Sequence, residues 1–165
     1  MDAFSEVDRI GMLLMHTRGS EPYCRGVQEL GKLMQILAQK ATTEDEYVGG
    51  TLVDLDSSRP APGEWVPIVC DFVFAIAQCD SEIIWAWVDG VARRSLKSEP
   101  PNIDIVSAMA ASPNTTCRRT CADVVVRALG NNERRAKLAT RLQHITHALS
   151  NDDDASVRGI MRGLK

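Results

Sequence analysis

The 165 residues are 44% hydrophobic and 25% charged, values that suit one soluble domain able to bury a core. A formal net charge of −3 conceals a division by position. Residues 1–112 carry 17 Asp and Glu against 9 Lys and Arg, residues 113–149 carry 2 against 7, and residues 150–165 carry 3 against 3. No stretch approaches the roughly 20 apolar residues of a membrane span, and Met1-Asp2-Ala3-Phe4-Ser5-Glu6 is acidic where a secretory signal is basic. A cytoplasmic protein without a membrane partner is expected.

In chain order, helical periodicity dominates. Phe4, Val7, Ile10, Leu13 and Leu14 recur three and four residues apart and predict an amphipathic helix, which Gly19-Ser20-Glu21-Pro22 ends. Val27, Leu30, Leu33, Met34 and Leu37 predict a second helix to about Ala41, with polar Thr42-Thr43-Glu44-Asp45 after it. Tyr47–Leu55 is β-prone in Val48, Thr51, Leu52, Val53 and Leu55. With Gly49-Gly50 as turn or bulge, it predicts one short strand or β-hairpin near 47–55. Ser57–Gly63 is a loop too short to divide two domains.

Glu64–Gln78 reads as a buried central helix with Pro67 in its first turn. Asp80–Ser95 is a helix capped by Asp80 or Ser81, and Glu99-Pro100-Pro101 closes it. Asn102–Ala111 is a short helix. Another opens at Thr115 or Thr116 and ends at Gly130-Asn131-Asn132, where a new cap starts the helix Glu133–Leu149. Ser150–Asp154 caps a final segment, Ala155–Leu164. The expected fold is all-α: a single α-helical domain over residues 1–165, with seven or eight helices and the one small β element. No internal repeat is visible.

Motifs for chemistry are sparse. Phosphate-loop and dinucleotide glycine patterns are absent, as is a nucleophile elbow, so no catalytic residue and no cofactor is assigned and a non-enzymatic protein is expected. Five cysteines at scattered spacings do not read as a disulfide framework. Cys117 with Cys121, and His144 with His147, could share helix faces, but neither pair completes a zinc ligand set, and no metal site is assigned. Asp152-Asp153-Asp154 lacks the spacing of a calcium loop and suits a helix cap.

The basic block is mostly arginine: Arg118, Arg119, Arg127, Arg134, Arg135, Lys137 and Arg141. Arginine's planar fork suits phosphate. No aromatic residues are interleaved for base stacking, which points to backbone contact without base readout. The alternative is an ordinary solvated face of an amphipathic helix pair.

From Gln28 to Leu164 the order of features resembles the core of flexuous filamentous plant-virus coat proteins of the potyvirus-like kind. The Leu- and Met-rich helix ending at Thr42-Thr43, the short element Gly49–Asp56, the Pro60–Pro67 loop and the apolar helix after it are similar in place. So are Arg93-Arg94, Asn102-Ile103-Asp104-Ile105 and the basic helix Thr116–Leu129. The chain departs from that pattern at Ile103 and Ile105, where the family has aromatic residues, and in its short N-terminal arm. The resemblance implies single-stranded RNA as partner and a coat-like packaging role in a virion or host cytoplasm. It implies Thr42 or Thr43 and Arg93 or Arg94 at a phosphate, with Asp104 orienting the arginine and Arg118, Arg119 and Arg127 adding RNA contacts. Self-association head to tail would generate an open filament. Three functions are thus weighed: RNA-packaging assembly, a protein–protein adaptor with a groove for a partner helix near Trp65, Phe72, Phe74, Trp85 and Trp87, and an enzyme whose site is assembled only in space.

Overall fold

The computed structural model describes residues 23–55 and 63–164. Eight α-helices occur among them: α1 Tyr23–Lys40, α2 Asp45–Leu55, α3 Val66–Ala75, α4 Glu82–Leu96, α5 Asp104–Ala110, α6 Thr115–Gly130, α7 Asn132–Ser150 and α8 Ala155–Met161. A 3₁₀ turn, Gly63–Trp65, leads into α3. The helix expected over Phe4–Leu14 and most of the Ser57–Gly63 loop lie outside the described residues.

Most helices pack on the ones two places along the chain, while consecutive α6 and α7 form the most extensive pair. The pairs α1/α3 and α3/α5 form one row, and α2/α4, α4/α6 and α6/α8 form the other, with α7 continuing the first row and packing heavily on α6. Stacked helix pairs of this kind bury their apolar stripes between the two rows. Leu33, Leu37, Phe72, Ile84, Trp85, Ile105, Met109, Val125 and Leu142 make up much of that core. Phe72 and Trp87 meet edge to face, ring centroids 6.1 Å apart.

Local signals start and stop these helices as the sequence leads one to expect. Ser81 caps α4 by accepting from the Ile84 N–H, Asn131 caps α7, and Asp154 caps α8 by accepting from Ser156 and Val157. The α6 cap is Asn114, one residue before the expected threonines, and its side chain accepts from the Cys117 N–H at 3.0 Å. Its amide also donates to the Ala77 and Cys79 carbonyls at 2.8 and 2.9 Å, tying the α3–α4 connection to the start of α6.

The expected strand or hairpin near 47–55 is corrected: those residues form α2, and no strand occurs among the described residues. Asp45 and Glu46 favour its positive N-terminal end. Val48 and Leu52, one turn apart, are both fully buried. Gly49 is no turn residue: a Cβ there would collide with Ile83 Cγ2 of α4, so the glycine lets the two helices approach closely. Strand propensity is a weak preference that packing of this sort overrides.

Candidate nucleic-acid interface

Helices α4 and α6 lie side by side and run in the same direction. Asp80, just before α4, accepts from Thr116 in the first turn of α6 at 3.5 Å, while Arg93 near the end of α4 shares a cavity with Arg127 near the end of α6. The furrow between them is open at its start, where Glu82, Asp89, Arg119 and Asp123 line about 460 Å³. Farther along it narrows to a cavity of about 240 Å³ where α7 begins. Arg93 lines both parts.

The narrow cavity gathers Arg93 and Lys97 from the end of α4, Arg127 from α6, and Asn131 and Arg134 from the start of α7, over a floor that includes Leu96, Val124 and Leu138. Two of these cations have carboxylate partners one turn back. Arg93 pairs with Asp89, and Arg127 Nε lies 3.1 Å from Asp123 Oδ2. Lys97 and Arg134 have no ion pair among the described residues. The Arg93 Nε–H is buried and lacks a hydrogen-bond partner among the described residues, an arrangement that costs about 1–3 kcal/mol if nothing else satisfies it. The positive N-terminal end of α7 adds to the field here. Along the same face of α7, Lys137 Nζ sits 3.3 Å from Glu99 Oε1 and Arg141 Nη1 donates to the Pro101 carbonyl at 3.1 Å.

The other residues singled out from sequence fall in different places. Thr42 and Thr43 are exposed in the α1–α2 turn. That turn adjoins Cys79, whose thiol donates to the Ala41 carbonyl at 3.3 Å just ahead of α4. Eleven residues at 1.5 Å rise put Arg93 about 17 Å farther along that helix, so threonines and arginines are at opposite ends of it. Arg94 points back over Gly90 and lines neither part of the furrow. Asp104 is exposed at the start of α5 and pairs with no arginine among the described residues; its N–H donates to Asn102 Oδ1 at 2.9 Å.

Arg118 is taken up by structure. Its Nε and Nη2 donate to the two Asp152 oxygens at 2.8 and 3.2 Å, and its Nη1 donates to the Ser112 carbonyl at 3.0 Å. Partial burial pushes the Asp152 carboxyl up, yet the Arg118 hydrogen bonds and charge and the Asp154 N–H hold it below its ordinary value. Arg119 is exposed at the open start of the furrow, with Nη2 donating to Thr116 Oγ1 at 3.3 Å. The thiols of Cys117 and Cys121 are buried and donate to the Met109 and Val106 carbonyls.

Two residues of the cavity stand outside the RNA contacts expected from the sequence: Lys97 precedes the basic block, and Arg134 belongs to the block but is not one of its three residues, Arg118, Arg119 and Arg127, assigned to RNA. A signal for Lys97 exists in hindsight: it follows Arg93 by four, which puts both on one helix face. For Arg134 the helix break at Gly130–Asn131 separates it from Arg127, and only the turn geometry brings the two together. Comparison of the chain with protein-family models, curated proteins and solved structures finds no match.

Proposed function

We propose that the protein is a non-enzymatic binding and assembly module that holds the phosphate backbone of single-stranded RNA where α4, α6 and α7 meet. The observation that carries this reading is the convergence of Arg93, Lys97, Arg127 and Arg134 on one cavity from three helices. Guanidinium forks and an ammonium suit phosphate oxygens. Phe72, Trp85 and Trp87 are buried, so these rings offer no platform for bases, which favours backbone contact over sequence readout. Coat-like packaging by head-to-tail self-association is the sharper form of the same reading, with Arg93 and Arg127 retained from the sequence candidates and Arg118 set aside as structural.

The test is fluorescence anisotropy with a labelled single-stranded RNA over a salt series. Each phosphate contact adds about 0.7 to the slope of log affinity against log salt for a single strand. Lys97→Ala with Arg134→Ala should therefore reduce the slope by about 1.4. Absence of binding at low salt would sink the reading. A second reading, an adaptor for a partner helix, has support from Val53 (58% exposed) and Ile83 (48% exposed), apolar side chains on the adjoining helices α2 and α4. Unchanged RNA affinity in an Ile83→Asp variant that loses a partner peptide would favour it.

A further inference from the structure

The narrow cavity has a charge balance that backbone binding does not by itself require. Four cations line it, Arg93, Lys97, Arg127 and Arg134, and two carboxylates, Asp89 and Asp123, each pair with one of them. Two positive charges remain in excess. An internal phosphodiester of RNA carries a single negative charge, whereas a phosphate monoester carries about −1.5 to −2 at pH 7. We propose that this cavity is a seat for a phosphate monoester dianion, supplied by the 5′-terminal phosphate of an RNA strand. The inference rests on the polyanion reading of the same surface and adds to it a preference for the strand end.

Geometry supports the seat in three ways. Lys97 and Arg134 approach from different helices and have no competing carboxylate among the described residues, so both can turn to one ligand. The cavity opens beside the first turn of α7, where the Asn131 side chain accepts from the Glu133 N–H at 3.1 Å and from no other donor among the described residues, while the helix end adds positive field. Its volume of about 240 Å³ far exceeds the 10–15 Å³ or so that one water needs, leaving room for a phosphate group with part of its ribose. A free phosphate ion has the same chemistry as the strand end, and the experiment separates the two sources.

The full chain is titrated against two RNA oligonucleotides of one sequence, 3′-labelled, one with a 5′-phosphate and one with a 5′-hydroxyl, at constant ionic strength. The 5′-phosphate should bind about tenfold or more tightly, the worth of one charge-assisted hydrogen bond. The preference should shrink as pH falls through the monoester's second pKa of about 6. It should vanish in Lys97→Ala and in Arg134→Ala, each checked for unchanged melting, and persist in Arg135→Ala, whose side chain lines a different cavity on α7. Equal affinity for the two RNAs, or a preference that survives both variants, overturns the seat while salt-dependent binding of both leaves the backbone reading standing. Should neither RNA bind, the backbone reading falls. Melting in inorganic phosphate against chloride then decides: a rise lost in the two variants supports the dianion seat with free phosphate as its source, and no rise overturns it.

Discussion

Arg118 looks from the sequence like part of a basic surface and is, in the folded chain, a tie between the start of α6 and the α7–α8 connection. The side chains of Arg118 and Asp152 are 16% and 8% exposed and share two hydrogen bonds, with a third from Arg118 to the Ser112 carbonyl. Hydrogen bonds to charged groups contribute about 1.5–3 kcal/mol, and breaking a fully buried pair costs about 3–5 kcal/mol. Arg118→Ala should fall between, at about 2–4 kcal/mol, and should lower the melting temperature by roughly 4–16 °C in a chain of this size. The assay is urea unfolding of wild type, Arg118→Ala, Asp152→Ala and the double variant. A coupling of at least about 1 kcal/mol identifies a direct interaction. The pH dependence has a definite sign. The folded Asp152 carboxyl lies below its ordinary value of 3.8, so its stabilisation is complete above 3.8 and is lost as pH falls through the lower folded value. Asp152→Asn should flatten the stability curve in that acid range. Additive single-variant losses, or an Arg118→Ala variant of wild-type stability that has lost RNA affinity, would refute the structural assignment.

Three further outcomes are expected. Gly49→Val should destabilise by about 1–3 kcal/mol through overpacking against Ile83. Combining it with Ile83→Ala should recover part of the loss in thermal melting, and no recovery would mean the clash lies elsewhere. Asn114→Ala removes the α6 cap and leaves the Ala77 carbonyl without a donor among the described residues, while the Cys79 carbonyl keeps only the Trp85 indole N–H, so a loss of about 2 kcal/mol or more is expected in urea unfolding. Thiol labelling at pH 8, read by peptide mass spectrometry, should be slow at half-buried Cys70, where burial and nearby Asp104 and Asp71 push the thiol up to about 11. It should be slower still at Cys117, pushed up to about 12 by burial, and fast modification of Cys117 without denaturant would contradict the packing of α6.

Helix identity and punctuation were determined by the sequence itself. Leu30, Leu33, Met34 and Leu37 recur at helical spacing and are buried in α1, and Ser81, Asn131 and Asp154 cap the helices they precede, because these preferences act within one turn of chain. Residues 45–55 show where that locality fails. Their β-branched side chains suggest a strand, but the surface offered by α4 accepts a helix with Gly49 at the contact, and such a contact depends on a partner distant in sequence. The candidate interface divides in the same way. Its chemistry, an arginine-rich block in an acidic chain, is a matter of composition. Which cations meet is a matter of packing: Arg118 is claimed by Asp152, Arg93 and Arg127 are held beside their own carboxylates, and Lys97 and Arg134 are left facing one cavity. Only the stacking of α4, α6 and α7 decides that, since a side chain's neighbours across helices follow from tertiary geometry and not from its position in the chain.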